Sequence, residues 1–216
     1  MLILGIAGGS GSGKSSLVNK IIENTKKTVA VISQDSYYYD SSHLPLEDRK
    51  KINYDHPDSI EFDLLIENIK KLKNGEEIYQ PIYSFVTSVR FGETQNIKPQ
   101  DIIIIEGILC LYPEELRKLM DIKIFVDCDS DIRLSRIIMR DISERGKSIT
   151  DTITRYKKTV KPSHLQFIEP SKRYADVIVP KGGNNEVAIH LISKYIDGWF
   201  SEDIRAPFIG EHIFKK

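Results

Sequence analysis

The sequence is poor in cysteine, with two in 216 residues, and Cys110 and Cys128 do not form a metal-ligand spacing. Structural zinc sites need four ligands, usually in closely spaced cysteine or histidine pairs. The sequence therefore gives no sign of a zinc site of that kind. Cys110 ends an apolar segment, where a buried free thiol in a reduced compartment is the simpler interpretation.

Net charge of either sign is also absent, because 31 lysines and arginines balance 31 aspartates and glutamates. A neutral chain is not suited to broad, charge-driven binding of nucleic acid or of an anionic membrane, although a local basic site for a small phosphorylated ligand is compatible with it. No apolar segment approaches membrane-span length, and the first residues are typical of a core strand rather than a signal peptide. We therefore expect a cytoplasmic protein without a nucleic-acid or membrane partner.

Repeats, low-complexity tracts and interdomain linkers are missing as well, which predicts one domain over residues 1–216. What the sequence does contain is a glycine-rich segment, residues 8–15, that matches the phosphate-binding pattern G-x-x-x-x-G-K-[ST]. A strand-like segment precedes it and a helical segment follows it, as the motif requires. Loop N–H groups and the helix N-terminus then bind phosphate oxygens, Lys14 can reach the β- and γ-phosphates, and Ser15 can ligate Mg²⁺.

The predicted nucleotide-binding residues are Gly8, Gly9, Ser10, Gly11, Ser12, Gly13, Lys14, Ser15 and Ser16. An ordinary glycine-rich turn is the alternative. The loop alone does not separate a kinase from a GTPase, a motor or a helicase, so the rest of the chain must decide.

Five short apolar segments are typical of buried parallel strands, namely residues 2–7, 28–33, 101–106, 122–127 and 175–180. With the helical segments between them, they predict an α/β fold of the P-loop NTPase type, in which three αβα layers contain a five-stranded parallel sheet. Residues 76–98 contain shorter β-like pieces. We expect a small hairpin excursion there that forms one wall of a pocket, with Tyr83, Phe85 and Arg90 as prominent side chains.

Two carboxylates, Asp35 and Glu106, follow predicted strands. Ligands of open α/β sheets bind beyond the carboxyl ends of the strands, so both are candidates for a site beside the phosphate loop, with Ser15, Glu106 and Asp35 on the Mg²⁺ side. A turn or N-cap role is the alternative for Asp35. Asp58 and Glu61 form a capping-box pattern that predicts a helix start at Asp58. Asp55 has no such structural explanation.

A helix predicted over residues 131–146 carries several arginines, and Gly146 should end it. The basic residues of this predicted helix are Arg133, Arg136, Arg140 and Arg145, and Lys147 follows its end. A solvated charged face is one interpretation. The other is a hinged lid, about residues 140–165, whose arginines close over the transferring phosphates. Lys161-Pro162 should divide the next helical segment.

From residue 2 to about residue 196, the chain closely resembles the phosphoribulokinase/uridine kinase family. The phosphate loop is widely shared, whereas the segments Asp55-His56-Pro57 and Arg140-Asp141-x-x-Glu144-Arg145-Gly146 are much more specific. The other matching segments are residues 33–38, 53–57, 81–86, 105–109 and 174–180.

This resemblance implies phosphoryl transfer from ATP or GTP to the 5′-hydroxyl of uridine or cytidine, a small-molecule nucleoside partner, and a homotetramer. It implies that Asp35 is the general base, that Ser15 and Glu106 lie on the Mg²⁺ side, and that Asp55 holds the ribose hydroxyls. The residues that match the nucleoside pocket are Tyr38, Tyr54, Tyr83 and Phe85. The positive charges proposed to stabilise the transition state are Lys14, Mg²⁺, Arg140 and Arg145.

The sequence departs from the family pattern at three positions. Ser88 stands where many members have a histidine that contacts the pyrimidine, so the resemblance leaves the balance between uridine and cytidine open. Ser88, Arg90 and Arg140 complete the candidate substrate contacts. Tyr39 stands where a basic residue is common, and Ile137 where some members carry another arginine.

Two other functions stay open at this point. The first is a related small-molecule kinase with another hydroxyl acceptor. The second is a nucleotide-dependent switch without an acceptor, which would have no need of a ribose-binding carboxylate such as Asp55.

Overall fold

A computed structural model describes residues 1–49 and 51–201. Within these residues, five parallel strands form one sheet: β1 (Leu2–Gly8), β2 (Val29–Ser33), β5 (Ile102–Glu106), β6 (Ile122–Asp127) and β7 (Val177–Pro180). Their order in the sheet is β2-β5-β1-β6-β7. The predicted five-stranded parallel sheet is confirmed.

Both faces of this sheet are covered, which explains why its strands are apolar without alternation. In β1, Leu2, Leu4 and Ile6 point to one hydrophobic core, while Ile3 and Ala7 point to the other. Because successive side chains of a strand point to opposite faces, each layer of helices packs against its own set of β1 residues. This produces the predicted αβα layers.

The helices differ in length and in the core that they cover. Helices Lys14–Asn24 and Glu186–Trp199 cover the Leu2 face, and helices Phe62–Lys73 and Glu114–Arg117 cover the Ile3 face. In chain order the helices are α1 (Lys14–Asn24), α2 (Leu46–Arg49), α3 (Phe62–Lys73), α4 (Glu114–Arg117), α5 (Ser130–Ser143), α6 (Ile149–Arg155), α7 (Lys161–Ser163), α8 (Glu169–Ser171) and α9 (Glu186–Trp199). No helix among the described residues is long and apolar enough to span a membrane.

The predicted hairpin is present as a separate two-stranded antiparallel sheet, β3 (Ile78–Ser84) and β4 (Val89–Ile97). Its base is anchored because Ile78 and Ile97 are buried in the core. Its tip is free of the core, with Val86 70% exposed. The hairpin therefore extends from the main sheet as a wall.

The capping-box prediction at Asp58 is wrong. Residues Pro57–Ser59 form a single 3₁₀ turn, and α3 begins at Phe62 with Glu61 as its N-cap residue. The turn ends where Ile60 pairs with Tyr38 in an isolated β-bridge. This tertiary pairing keeps the chain extended at Ile60 and delays the helix by one turn.

The prediction that Lys161-Pro162 divides the helix is also wrong. The backbone stays in the right-handed helical region at Val160, Lys161 and Ser163. Two π-helical turns, Tyr156–Val160 and His164–Ile168, flank the proline. These wider turns carry the chain past the position where proline lacks an N–H, so one helical path connects residues 149–171.

Candidate active site

The phosphate loop connects β1 to α1 and has the conformation that its glycines permit. Gly11 and Gly13 have φ angles of +76° and +97°, in the left-handed region that side chains rarely adopt. A Cβ atom at Gly11 would also lie 2.6 Å from the carbonyl oxygen of Arg133. The Lys14 ammonium donates hydrogen bonds to the carbonyl oxygens of Gly8, at 3.0 Å, and Gly9, at 3.2 Å. The lysine side chain is thus folded back over the loop. To bind a phosphate, its ammonium group would leave these carbonyl oxygens.

Two arginines of α5, Arg133 and Arg136, pack next to this loop. Arg136 donates from Nη1 to the carbonyl oxygens of Gly11 and Ser12, at 3.1 and 3.3 Å. Arg133 is 5% exposed and donates from Nε to the carbonyl oxygen of Cys128. A solvated charged face is therefore the wrong interpretation at these two positions, because Arg133 is buried and Arg136 bonds to the loop.

The predicted metal-side residues converge at the carboxyl edge of the sheet. Ser15 donates from Oγ to Oε2 of Glu106 at 3.4 Å, which joins the start of α1 to the end of β5. Asp35 lies in a 3₁₀ turn, Gln34–Tyr37, that follows β2 directly, and it lines the same cleft. Burial raises the pKa of Glu106, and the nearby Lys14 ammonium opposes that shift. A partly buried carboxylate beside a hydroxyl and a second carboxylate fits the oxygen ligands that Mg²⁺ prefers.

Few side chains are available to ligate Mg²⁺ at this position. The described residues contain no group of three or more His, Cys, Asp or Glu side chains that could hold a metal ion by themselves. Mg²⁺ in phosphoryl-transfer sites takes one or two protein ligands and completes its shell with phosphate oxygens and water. The residues present therefore fit a cation that arrives with a nucleotide.

An aromatic wall faces the phosphate loop across the cleft. Tyr38 packs edge-on against Tyr54, with ring centroids 5.2 Å apart, and lies 5.1 Å from the ring of Tyr83. Phe85 continues the wall at 5.5 Å from Tyr83, and the guanidinium of Arg145 lies 4.3 Å above the Phe85 ring. Such a wall suits a flat ring, which stacks or makes edge contacts with aromatic faces.

Asp55 lies between the wall and the arginines, and it is 5% exposed. Burial raises its pKa, and the guanidinium of Arg155 is the strongest group that opposes the shift. The Nη1 atom of Arg155 lies 3.5 Å from Oδ2 of Asp55. The site thus contains a carboxylate with a cation beside it.

A buried carboxylate, Asp141, organises the arginines of the cleft. It is completely buried, and it lies 3.0 Å from Arg140, 3.0 Å from Arg155 and 3.5 Å from Arg145. Burial alone would raise the pKa of Asp141, but the three guanidinium groups outweigh burial and hold the pKa below its ordinary value. One carboxylate therefore positions three cations.

The phosphate loop, the aromatic wall, Asp55 and the three arginines around Asp141 line one cleft of about 900 Å³. Of the predicted nucleotide-binding residues, the cleft lining includes Ser10, Gly11, Gly13, Lys14, Ser15 and Ser16. The other predicted site residues on the lining are Asp35, Tyr38, Tyr54, Asp55, Tyr83, Phe85, Ser88, Glu106, Arg140 and Arg145. The fold thus brings the phosphate loop and the residues predicted to bind the acceptor into one cleft.

Known proteins resemble this chain over most of its length. Residues 3–188 match the phosphoribulokinase/uridine kinase family. The chain belongs to this family. It is 50% identical over 203 residues to a uridine kinase of Clostridium novyi, which covers 94% of this chain and 98% of that protein. It is 52% identical over 192 residues to a uridine kinase of Bacillus subtilis, covering 88% of this chain and 91% of that protein.

The fold is also that of a solved family structure. Phosphoribulokinase from Rhodobacter spheroides superposes with a TM-score of 0.63 at 17% identity, over 83% of this chain and 69% of that one. At that identity the similarity concerns the fold alone. Membership of the family makes the protein a P-loop kinase, an enzyme that transfers phosphoryl groups.

The structure does not bring every candidate residue of this kinase to the cleft. The guanidinium of Arg90 donates to Glu61, at 2.8 Å, and to the carbonyl oxygen of Tyr38, at 2.7 Å, so Arg90 holds the hairpin in place. Gly8, Gly9 and Ser12 are not among the residues that line the cleft. Ser88, by contrast, lines the cleft; it has a φ of +55° at the hairpin tip, and its carbonyl oxygen accepts a hydrogen bond from Ser41.

Sequence reasoning missed Asp141 and Arg155 as site residues. Asp141 stands inside the quoted segment Arg140-Asp141-x-x-Glu144-Arg145-Gly146, and its spacing to Arg145 is i, i+4, so a pair between them could have been predicted. Arg155 contacts Asp55 across 100 positions of sequence. No local sequence pattern predicts that contact.

Ile137 is one of the positions where the sequence departs from the family pattern. Its side chain is fully buried in a small cluster with Tyr156 and Val160.

Proposed function

We propose that this kinase transfers the γ-phosphoryl group of ATP or GTP to the 5′-hydroxyl of uridine or cytidine. One observation carries the proposal: a buried carboxylate, Asp55, and an aromatic wall face the phosphate loop within a single cleft. Curated relatives at about half identity over nearly the whole chain, which are named uridine kinase, support the same acceptor. A pyrimidine nucleoside has a flat ring for the wall and ribose hydroxyls for Asp55.

The mechanism assigns each side chain a step that its position allows. Asp35 accepts the proton of the attacking hydroxyl or orients that hydroxyl, because it lies on the cleft between β2 and the aromatic wall. Lys14 leaves its loop carbonyls to meet the β- and γ-phosphates. Arg140 and Arg145, preset by Asp141, stabilise the charge that spreads over the transferring oxygens.

Ser15, Glu106 and Asp35 are the side chains that would hold Mg²⁺. When bound with the nucleotide, the cation neutralises part of the phosphate charge. The proposed lid, about residues 140–165, contains Arg145, Lys147 and Arg155 on the cleft lining. Its closure would exclude water and limit unproductive hydrolysis of the donor.

We also propose the finer properties that accompany this function. They are a cytoplasmic location, a homotetramer, and a uridine-to-cytidine balance set in part by Ser88 on the cleft lining. Light scattering that gives four times the mass of one chain would support the tetramer. A mass of one chain would contradict it.

A substrate panel tests the function. Purified protein is incubated with ATP and Mg²⁺ and with uridine, cytidine, adenosine, D-glycerate or ribulose 5-phosphate in separate reactions, and both ADP and the phosphorylated product are quantified. We expect ADP and monophosphate in equal amounts with uridine or cytidine. If a phosphorylated product forms only with a sugar phosphate or an organic acid, the acceptor is that compound and not a nucleoside. Nucleotide binding without any product would support a switch instead.

A further inference from the structure

Arg133 carries a buried positive charge next to the phosphate loop. It is 5% exposed, and it is not one of the residues that line the cleft. A guanidinium stays charged in proteins, and a buried charge is unfavourable unless it is paired. Within residues 1–49 and 51–201, no carboxylate forms an ion pair with Arg133. The protein without nucleotide therefore holds a buried cation that has no direct counter-charge in this part of the chain.

The charged groups around His164, which lies beside Arg133, already have partners. Glu169 lies 3.4 Å from Nε2 of His164 and accepts a hydrogen bond from Nζ of Lys172 at 2.7 Å. Asp127, the last residue of β6, lies 3.0 Å from the same ammonium. Burial and the nearby Arg133 lower the pKa of His164 to about 4, so its imidazole is neutral near pH 7. These two carboxylates are thus occupied by Lys172 and do not pair with Arg133.

Arg133 lies against the phosphate loop at two points. A Cβ atom at Gly9 would lie 2.7 Å from Nη1 of Arg133 and 3.0 Å from Cε1 of His164. A Cβ atom at Gly11 would lie 2.6 Å from the carbonyl oxygen of Arg133. The pattern G-x-x-x-x-G-K does not itself require glycine at residues 9 and 11. Their lack of a side chain lets the loop pack directly on this arginine.

One donor of the Arg133 guanidinium is unused. Its Nε atom donates to the carbonyl oxygen of Cys128 at 3.1 Å, whereas Nη1 is buried and has no hydrogen-bond partner among the described residues. Nη1 is also the atom that lies closest to the Cβ position of Gly9. Loops of this class bind phosphate oxygens with their backbone N–H groups. A phosphate in the loop would therefore lie near this charge, and salt screens a buried charge only weakly.

We infer that Arg133 is a positioning residue for the phosphoryl donor: its buried guanidinium holds the phosphate loop at Gly9 and supplies a positive charge whose counter-charge is the polyphosphate of the bound nucleotide. This inference rests on the donor half of the proposed function and not on the identity of the acceptor. Arg133 acts through the loop, because it is outside the cleft lining.

Removal of this charge should affect the free and the nucleotide-bound protein differently. In the free protein, an apolar side chain of similar length avoids the burial of an unpaired charge, which offsets the lost hydrogen bond to Cys128. In the bound protein, the phosphates lose a nearby cation. The variant should therefore keep its stability without nucleotide and lose affinity for ATP.

The test compares Arg133→Met, Arg133→Lys and a matched control, Arg117→Met, with wild type. Arg117 also donates to backbone carbonyl oxygens, those of Leu111 and Tyr112, but it is outside the cleft lining. Calorimetry gives the Kd for ATP with Mg²⁺, and thermal unfolding gives Tm with and without ATP.

We expect Arg133→Met to bind ATP about tenfold or more weakly, the order expected when a unit charge is removed within several ångströms of an anion in a protein. Its Tm without ATP should be no lower than that of Arg117→Met, while the rise in Tm caused by ATP shrinks. Arg133→Lys keeps the charge without the guanidinium fork and should retain most of the affinity. Arg117→Met should bind ATP as wild type does.

Four results would overturn the inference. The first is wild-type affinity for ATP in Arg133→Met. The second is a Tm of that variant without ATP well below that of Arg117→Met, because the charge would then already stabilise the free protein. The third is an equal loss of affinity in Arg133→Lys, which would assign the effect to the fork rather than to the charge. The fourth is a wild type that does not bind ATP, which would overturn the proposed function as well, whereas the first three overturn this inference alone.

A further variant decides if Arg133→Met does not fold, as judged by circular dichroism. Arg133→Gln removes the charge but keeps an amide donor for the carbonyl oxygen of Cys128. It should show the same loss of affinity for ATP with an unchanged Tm in the free protein. Wild-type affinity in Arg133→Gln would contradict the inference.

Discussion

Replacement of Asp141 by asparagine measures how strongly one carboxylate holds the arginines of the cleft. Asp141 is fully buried and has Arg140, Arg145 and Arg155 within 3.5 Å. Asparagine has nearly the same shape, so the substitution removes charge rather than volume. Three guanidinium groups then face one another without their shared counter-charge.

The size of the effect follows from burial. Removal of one partner from a buried ion pair costs roughly 3–5 kcal/mol. The side chains of Arg140, Arg155 and Arg145 keep exposures of 29%, 27% and 17%. Water can therefore hydrate them in part, and we expect a loss near the lower end, about 3 kcal/mol. For a chain of this length, such a loss lowers Tm by roughly 6–12 °C.

Unfolding in urea at two pH values is the assay. The folded-state pKa of Asp141 lies below its ordinary value, so the stabilisation is present above the unfolded pKa and is lost as pH falls through the folded pKa. The difference between wild type and Asp141→Asn should therefore be largest at neutral pH and should shrink below about pH 4.

The control is Glu67→Gln, which removes the exposed pair between Glu67 and Lys71 on α3. Exposed pairs contribute little, so this variant should unfold near the wild-type midpoint. If Asp141→Asn loses no more stability than Glu67→Gln at neutral pH, the buried network does not stabilise the cleft. A difference that grows toward low pH would contradict the assigned sign.

Three further predictions concern other parts of the molecule. Lys14→Ala should abolish phosphoryl transfer while the protein keeps its circular dichroism spectrum, because Lys14 bonds only to loop carbonyls within the described residues; retained turnover would remove Lys14 from the mechanism. Ser88→His should change the cytidine-to-uridine ratio of kcat/KM, since Ser88 lines the cleft; an unchanged ratio would exclude Ser88 from base recognition. Burial and Arg133 lower the pKa of His164 to about 4, so wild type should lose stability as pH falls from 6.5 toward 4, and His164→Gln should lose less over that window; equal losses in urea titrations would contradict this.

The strands and the phosphate loop were predictable because their signals are local. Four consecutive isoleucines, Ile102 to Ile105, indicate a strand buried on both faces, and β5 occupies this position. The loop pattern with its flanking strand and helix predicts that a helix begins at the end of the loop, and α1 begins at Lys14. In open α/β sheets, ligands bind beyond the carboxyl ends of the strands, which predicts that Asp35 and Glu106 lie near one site. Both residues line the same cleft.

The arginine network was not predictable because its contacts are long-range. Arg155 pairs with Asp55 across 100 positions, and only the folded helical path of residues 149–171 brings them together. That path continues through Pro162 by π-helical turns, which a local rule for proline excludes. The Asp58 cap failed for a similar reason, since the bridge between Tyr38 and Ile60 overrides the local capping pattern.

The most direct test of the account is the rate of UMP formation by wild type and by Asp35→Asn at saturating ATP, Mg²⁺ and uridine, with ATP binding measured in parallel by calorimetry. Asp35 lies on the cleft beside the acceptor wall, and removal of a general base typically lowers turnover by about 10²–10⁴-fold. We expect wild type to form UMP, and Asp35→Asn to bind ATP normally while its turnover falls within that range. Turnover by Asp35→Asn near the wild-type rate, or no UMP from wild type, would contradict the account.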